Sequence, residues 1–339
     1  MVINLYLDAM NALRLLALLS IFFIGCNQAQ DNVKMNSSGE CTCISSASDD
    51  STGAAPYQTG RGALLGTRFN SLEELKSVVR IEYHNGAIPS DSTAPENGCV
   101  RVRHCSNGRE VISVLKTGTS QGDILKARSA SAIRERATLL CRCPYAVMNR
   151  KDLEKIFTLS RLRPEEGDVA FFDIAKSSVE NINTPDLAFK TPRDTTEKGY
   201  LNTFNHITAQ ALITSCFSEE MADFIADAHE RHHHPELITG KFTEAQIKDL
   251  NEGPVDNYVD IINNEWGQEL GKQLGEKYHI DRETNWNPQL LANYLNDLQS
   301  YYGWAFQIGF EPFTPEDEVV LKFSNKIDGV LKGCLSFNK

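Results

Sequence analysis

The sequence predicts a mainly α-helical protein, in which a small cysteine-rich α/β region, residues 61–148, precedes a multi-helix C-terminal domain, residues 149–339. Two observations predict this class. Apolar residues recur at helical spacing in most segments after residue 150, whereas two short alternating segments lie before residue 120. The 339 residues are 41% hydrophobic and 23% charged, which is enough apolar material for one large domain or two smaller ones.

A short apolar segment at the N-terminus is typical of a signal peptide. Leu15 to Ile24 follow Arg14, and about ten residues are too few to cross a hydrocarbon layer of about 30 Å. Phe23-Ile24-Gly25-Cys26 resembles the lipobox of bacterial lipoproteins, in which the cysteine carries the lipid. We therefore expect a signal peptide over residues 1–25 and export to the cell envelope, with lipid on Cys26 holding the chain to the outer membrane. The alternative is an ordinary secretory signal. Met10 is a second candidate for the first residue of the translated chain.

Residues 26–60 are rich in Ser, Gly, Asp and Asn and predict a flexible tether after the anchor. The net charge of −11 argues against nucleic acid as a partner, because phosphate binding depends on Lys and Arg. Residues 101–163 nevertheless contain 14 Lys and Arg against 5 Asp and Glu, a net charge of +9. This basic strip fits an anionic lipid or envelope polymer, and it equally fits docking on the acidic remainder or simple solvation.

Eight cysteines remain besides Cys26, an even number that predicts disulfides in an exported chain. The sequence does not select the pairing. Two Cys-x-Cys pairs, Cys41 with Cys43 and Cys141 with Cys143, could alternatively hold a soft metal such as zinc. Cys216 and Cys334 are isolated and could be buried thiols.

The small region begins with a helix predicted over Ser71 to Val79. A strand is predicted over Cys99 to Arg103 and another over Val111 to Leu115. Ser106-Asn107-Gly108-Arg109 supplies the turn between them, so the pair should form a β-hairpin.

Helices are predicted in seven segments of the C-terminal domain: near 151–159, 199–216, 218–234, 243–251, 254–277, 288–300 and 315–331. Their starts are marked by Ser218, by the capping box of Thr243 and Gln246, and by Pro254 and Pro315 at first-turn positions. Gly267, Gly271 and Gly275 recur every four residues, which predicts that another helix packs closely there.

Polar residues that suit chemistry lie in three clusters between residues 199 and 275. The clusters read Asn-x-Phe-x-His up to His206, Ala-His-Glu at 228–230, and Asp-x-x-Asn-Asn-x-x-Gly at 260–267. This order resembles the signature of an uncharacterised helical domain family found in bacterial exported proteins and at the ends of some large toxin-like proteins. The resemblance covers roughly residues 199–275 and implies a shared polar centre, without implying a reaction.

Imidazole and carboxylate groups from three helices are suitable ligands for a divalent metal, zinc in the first place. In this hypothesis His206, His229 and Asp260 bind the metal and Glu230 is the general base. Asn263 and Asn264 would orient ligands or substrate. The product would be a membrane-anchored, metal-dependent hydrolase acting on an envelope or extracellular substrate. The alternative is a non-enzymatic binding protein of the envelope, whose polar clusters form a buried hydrogen-bond network.

A second metal motif overlaps the middle cluster. His229-Glu230-Arg231-His232-His233 satisfies His-Glu-x-x-His, the pattern of zinc metalloproteases, with Glu265 available as a third ligand. Pro235 disfavours helical geometry at the residue before it and leaves His233 at a fraying helix end. Two interpretations therefore remain open: a zincin metal site, and a run of histidines exposed to solvent.

Overall fold

In this computed structural model the described residues are 62–84, 98–106, 109–160, 167–184 and 191–333. The predicted signal peptide and the tether, with Cys26, Cys41 and Cys43, lie outside them, as does Cys334. Twelve α-helices and one three-stranded antiparallel sheet occupy the described part of the chain, which confirms the mainly α class with a small α/β region first. Within the same residues, no helix combines the length and apolar character that a membrane crossing requires.

The small region begins with one short helix and the sheet, and further helices follow them over residues 121–148. Helix α1 spans Leu72–Lys76, and the strands are β1, Val79–His84, β2, Cys99–Ser106, and β3, Arg109–Lys116, in spatial order β1-β2-β3. The predicted β2–β3 hairpin is confirmed, since Ser106 pairs with Arg109 across a two-residue turn. The predicted helix to Val79 was too long, because Val79 already begins β1, a strand that the sequence analysis missed.

The remaining helices follow in chain order: α2 Gln121–Ser129, α3 Ile133–Leu140, α4 Pro144–Met148, α5 Arg150–Ser160, α6 Phe171–Glu180, α7 Asn202–Cys216, α8 Glu219–His233, α9 Glu244–Lys248, α10 Pro254–Tyr278, α11 Pro288–Phe306 and α12 Glu318–Leu331. The helices predicted after residue 150 are present. Helices α2, α3, α4 and α6 were not predicted. Pro315 does not start a helix: Asp317 accepts hydrogen bonds from the amide and hydroxyl of Thr314, and the resulting turn delays α12 to Glu318.

Helices α7 and α10 pack closely through the predicted glycine row. A Cβ atom on Gly267 would lie 2.7 Å from the carbonyl oxygen of Ile207, and one on Gly271 would lie 2.5 Å from that of Ala211. Only glycine allows two backbones to approach this closely. Gly275 is looser, because a Cβ there would be 3.6 Å from its nearest neighbour. The close contact predicted from the glycine row is confirmed at Gly267 and Gly271, and it sets the distance between the two helices.

The apolar core is continuous across both predicted regions. Val100 and Leu115 of the sheet belong to the same buried cluster as Phe204 of α7 and Trp266 of α10. The division at residue 148 stays a prediction. This continuity fixes the small region against α10, the longest helix of the described chain.

The cysteines depart from the expectation of general disulfide bracing. Cys105 is disulfide-bonded. Cys99, Cys141, Cys143 and Cys216 are free thiols, and all of these except Cys141 are buried. Burial raises the pKa of the Cys216 thiol to about 12, so that it acts as a small apolar core residue, as one of the two sequence interpretations expected. The disulfide prediction was therefore wrong for Cys99, Cys141 and Cys143.

Candidate metal centre

Three helices bring the polar clusters together. Helix α8 starts where Ser218 accepts a hydrogen bond from the amide of Met221, and α10 starts with Pro254 at its first position, both as predicted. Helix α10 lies against α7 and α8, so that side chains from all three can meet in one place. The oxygen and nitrogen atoms of His206, Glu230 and Asp260 do meet: one from each lies within 4.8 Å of the others.

The imidazole of His206 has a defined tautomer. Its Nδ1 lies 2.8 Å from Oδ1 of Asn264. An amide oxygen can only accept, so Nδ1 carries the proton and the neutral ring has its lone pair on Nε2. That Nε2 lies 3.4 Å from Oδ2 of Asp260, while Asn202 donates to the other carboxylate oxygen at 3.0 Å. A lone pair facing a carboxylate is stable only with a proton or a cation between them.

Glu230 is buried on α8 and held by two amides of α10. Asn264 donates to one of its carboxylate oxygens at 3.2 Å, and Asn257 donates to the other at 3.4 Å. Asn264 therefore links His206 to Glu230 through the two ends of one side chain. The Oδ1 atom of Asn257 is buried and has no hydrogen-bond partner within the described residues, so an acceptor beside Glu230 is left unsatisfied.

Several carboxyl groups are buried together at this point, and burial disfavours their charged forms. It raises the pKa of Asp260 to about 7 and the pKa of Glu230 well above its usual range. It also lowers the pKa of His206, which keeps the ring neutral. Asp256, one turn before Asp260, has its pKa raised to about 7 by burial and by the charge of Asp260. Such a group of carboxyls is stabilised when a cation binds or when protons neutralise it.

One cation of the protein lies next to the cluster, in a segment that sequence reasoning missed. Lys198 contacts Asp256 at 3.0 Å from an irregular turn, Glu197–Leu201, that precedes α7. A Cβ on Gly199 would lie 2.2 Å from the carbonyl oxygen of Asp194, so the turn requires glycine there. No periodic pattern places Lys198, whereas the i, i+4 spacing of Asp256 and Asp260 was visible in the sequence.

The other predicted metal ligand, His229, is not in the cluster. It is exposed, and its ring centre lies 6.5 Å from that of His206. Desolvation, followed by the neighbouring imidazoles of His206 and His233, lowers the pKa of His229 to about 3, so the ring is neutral near pH 7. In place of His229, the adjacent Glu230, which was predicted as general base, supplies the third inward-facing donor.

Asn263 and Asn264, both predicted to orient ligands, have different surroundings. Asn264 contacts His206 and Glu230, as described above. Asn263 faces the small region, where its Oδ1 accepts from the backbone amide of Leu64 at 2.9 Å and its Nδ2 donates to the Leu64 carbonyl at 2.8 Å. Its observed contacts are structural, since they join the chain before α1 to α10.

The zincin residues do not converge. The ring of His233 lies 4.3 Å from that of His229, but both side chains are exposed. Glu265 lines a small cavity with Asp223 and Asp227, and Glu230 and Asn264 border the same cavity. Burial raises the pKa of Glu265 well above its usual range. Among the described residues, the one set of three or more such donors close enough for an ion is His206, Glu230 and Asp260.

The donor set fits a divalent ion by chemistry. Imidazole and carboxylate groups are both zinc ligands, and catalytic zinc sites keep a fourth position for water. In a tetrahedral site with bonds of about 2.1 Å, two donors lie about 3.4 Å apart. The distance of 3.4 Å between His206 Nε2 and Asp260 Oδ2 already meets this, and the limit of 4.8 Å for the whole set requires a contraction of at most about 1.4 Å.

Comparison with known proteins gives no further assignment. No protein-family description, curated protein or solved structure matches this chain. The function has to be argued from the site itself.

Proposed function

We propose that the helical domain binds a divalent cation, zinc in the first place, through His206 Nε2, Asp260 and Glu230, and that it is a metal-dependent hydrolase. The observation that carries the proposal is the Nε2 lone pair facing Asp260 at 3.4 Å, with Glu230 as a third donor within 4.8 Å. A cation between these atoms removes the repulsion, and its charge offsets the buried carboxylates.

When bound, the ion would supply Lewis acidity and lower the pKa of a water molecule toward neutrality. In this proposal the chain holds and moves the proton. Asp256 is the general base, because its pKa of about 7 allows it to accept a proton near neutral pH. Lys198 keeps the Asp256 carboxylate oriented and adds positive charge where an oxyanion develops. Asn264 fixes the tautomer of His206. The general base in this proposal is therefore Asp256, whereas the sequence analysis predicted Glu230.

The cellular setting belongs to the same proposal. A signal peptide over residues 1–25 and lipid on Cys26 would place the domain at the outer membrane, with an envelope or extracellular substrate and no nucleic-acid partner. The resemblance to the helical family of exported proteins supports a shared polar centre. Incorporation of labelled palmitate into the wild-type chain, and its loss in Cys26→Ser, would test the anchor independently of the metal site.

Metal titration of the purified chain tests the ion site. We expect zinc binding with a stoichiometry of one, and a loss of at least about 100-fold in affinity in His206→Gln and in Asp260→Asn, since even residues that only orient ligands contribute 10–100-fold. His233→Gln is the matched control and should bind as the wild type does. Loss of zinc in His233→Gln, with binding intact in His206→Gln, would instead support the zincin arrangement. A folded wild-type chain that binds no divalent ion contradicts both.

Hydrolysis is tested separately on ester, phosphodiester and protein substrates: p-nitrophenyl acetate, bis(p-nitrophenyl) phosphate and casein. We expect zinc-dependent turnover of at least one, with the rate reduced by about 100-fold or more in Asp256→Asn at unchanged zinc affinity. If the chain binds zinc and turns over none of them, the non-enzymatic alternative is favoured. One observation supports that alternative: both oxygens of Glu230 and one of Asp260 already accept amide hydrogen bonds, as in a structural network.

A further inference from the structure

The surface of the small region carries an unusual concentration of exposed apolar side chains. Eight large hydrophobic residues are exposed among the described residues, and half of them lie between residues 121 and 148. They are Leu125, Ile133, Leu140 and Met148, with Ile133 at 85% and Met148 at 74% exposure. Single exposed apolar residues need no explanation, but a local concentration indicates a surface that binds something.

Helix α3 is the centre of this surface and is almost without packing partners. It buries only Leu139 of its eight residues. Ile133, Ala137 and Leu140 are all exposed, and at spacings of four and three they form one stripe along the helix. A stripe of this kind is the face that a helix normally buries.

Arginines flank the stripe on both sides. With about 100° per residue, Arg134 and Arg136 project to opposite sides of the line from Ile133 to Leu140. Arg134 also lines a groove of about 440 Å³ between α2 and α3, together with Lys126, Arg142 and a single carboxylate, Glu135. Neither Lys126 nor Arg134 takes part in an ion pair within the described part of the chain. This cationic groove lies on the opposite side of α3 from the apolar stripe, and Arg134 joins its edge to the edge of the stripe.

We propose that the apolar stripe of α3 and the two arginines that flank it form a docking surface for an anionic phospholipid bilayer. Aliphatic side chains flanked by arginine are the pattern of helices that lie in the membrane interface, since the long basic side chains reach the phosphates while the stripe enters the acyl boundary. Arg134 and Arg136 match the headgroup phosphates in charge. The chain as a whole carries −11, so the contact is confined to this basic surface.

A second copy of the chain fits the surface less well. A two-fold symmetric dimer through α3 would place the same patch against itself, and Arg134 and Arg136 would be brought against their own counterparts. Like charges brought together in this way oppose association, whereas an anionic bilayer attracts them. The docking requires neither the ion at His206 nor lipid on Cys26, although an anchor would raise the local concentration of the surface near the membrane.

Site-specific tryptophan quenching tests where the chain meets lipid. The full chain with Ile133→Trp is mixed, in EDTA, with vesicles of equal phosphatidylglycerol and brominated phosphatidylcholine, and with vesicles of brominated phosphatidylcholine alone. Leu321→Trp is the matched control, because it replaces another exposed aliphatic residue on α12, far along the chain. We expect quenching and a blue shift of the added fluorescence in Ile133→Trp on the anionic vesicles, and neither effect in Leu321→Trp. Equal quenching of the two variants overturns the proposal, even if the N-terminal apolar segment binds vesicles.

Charge variants test the two flanking arginines. Each basic residue near an anionic surface contributes about fivefold to partitioning, so Arg134→Gln with Arg136→Gln should weaken vesicle binding by about 30-fold. Lys241→Gln with Lys248→Gln removes the same charge from exposed positions elsewhere and should change binding less than twofold. An equal loss of vesicle binding in both double variants would mean that only the net charge of the chain matters, and it would overturn the proposed docking surface. A dimer by sedimentation velocity, abolished by Ile133→Asp and accompanied by no lipid quenching, would assign the surface to a second copy instead.

Discussion

Replacing Gly271 by alanine measures how strongly the α7–α10 contact depends on the glycine row. The new Cβ would lie 2.5 Å from the carbonyl oxygen of Ala211 and 2.7 Å from Cβ of Thr214. Ordinary contact begins at 3.4 Å, so the helices would have to separate by about 0.9 Å. Because the obstructing atom is backbone, no side-chain rotation relieves it. Overpacking of this kind costs about 3 kcal/mol, against about 1 kcal/mol gained from the better helix propensity of alanine.

The net expectation for Gly271→Ala is a loss of about 2 kcal/mol in the free energy of unfolding, measured by urea denaturation. Gly275→Ala is the control from the same helix. Its Cβ would have 3.6 Å of room, so only the propensity gain applies and the variant should be about 1 kcal/mol more stable than wild type. Zinc affinity adds a second readout, because α7 carries His206 and α10 carries Asp260 and a wider spacing separates them. If Gly271→Ala is as stable as Gly275→Ala, the close-packing argument is refuted.

Three further predictions concern contacts around the site. Asn263→Ala should reduce the free energy of unfolding by about 1–3 kcal/mol, because it leaves the buried amide of Leu64 unpaired and the Leu64 carbonyl with only the Thr203 hydroxyl, 3.3 Å away, while zinc affinity stays within twofold. Asp194→Ala should cost about 3 kcal/mol by urea denaturation, since it removes the buried partner of Arg68, 3.0 Å away; a neutral result would contradict this. Burial raises the pKa of Asp223 to about 6, above about 3.9 in an unfolded chain. Its stabilising contribution, at most about 3 kcal/mol, is therefore complete below pH 4 and lost as the pH rises through 6. In urea titrations, Asp223→Asn should reduce the loss of stability between pH 4 and pH 7 by up to this amount, while the other buried carboxyls keep their share.

The helical part of the fold could be predicted where local chemistry marks it. Ser218 caps α8, and Thr243 with Gln246 forms the capping box of α9, each as expected from the sequence. The predicted start of α12 at Pro315 was wrong because the Asp317 side chain forms a turn with Thr314, and this turn delays the helix. Strand β1 was missed because one antiparallel strand, paired only with β2, has few local signals of its own.

The three clusters that form the candidate site were predicted from the sequence. Which residue of each cluster faces the site was not. His229 and Glu230 are neighbours on one helix and point about 100° apart, so a small rotation of α8 decides which faces inward. Asn263 and Asn264 pose the same ambiguity on α10. The contribution of Lys198 depends on the turn before α7, which is held by tertiary contacts with Asp194 and has no sequence period.

The amide of Asn263 gives the protein a mechanical property. Leu64 lies two residues into the described chain, and its backbone is bound in both directions by this single side chain. A pulling force transmitted from the preceding residues would first load Gly62 and Ala63, which are bound by His104 and Tyr301. It would then load Leu64 and act on α10 through Asn263. The next residue along that helix, Asn264, holds His206 and Glu230. Tension on the N-terminal side of the fold would thus be delivered one residue from the side chain that positions two of the three proposed ligands.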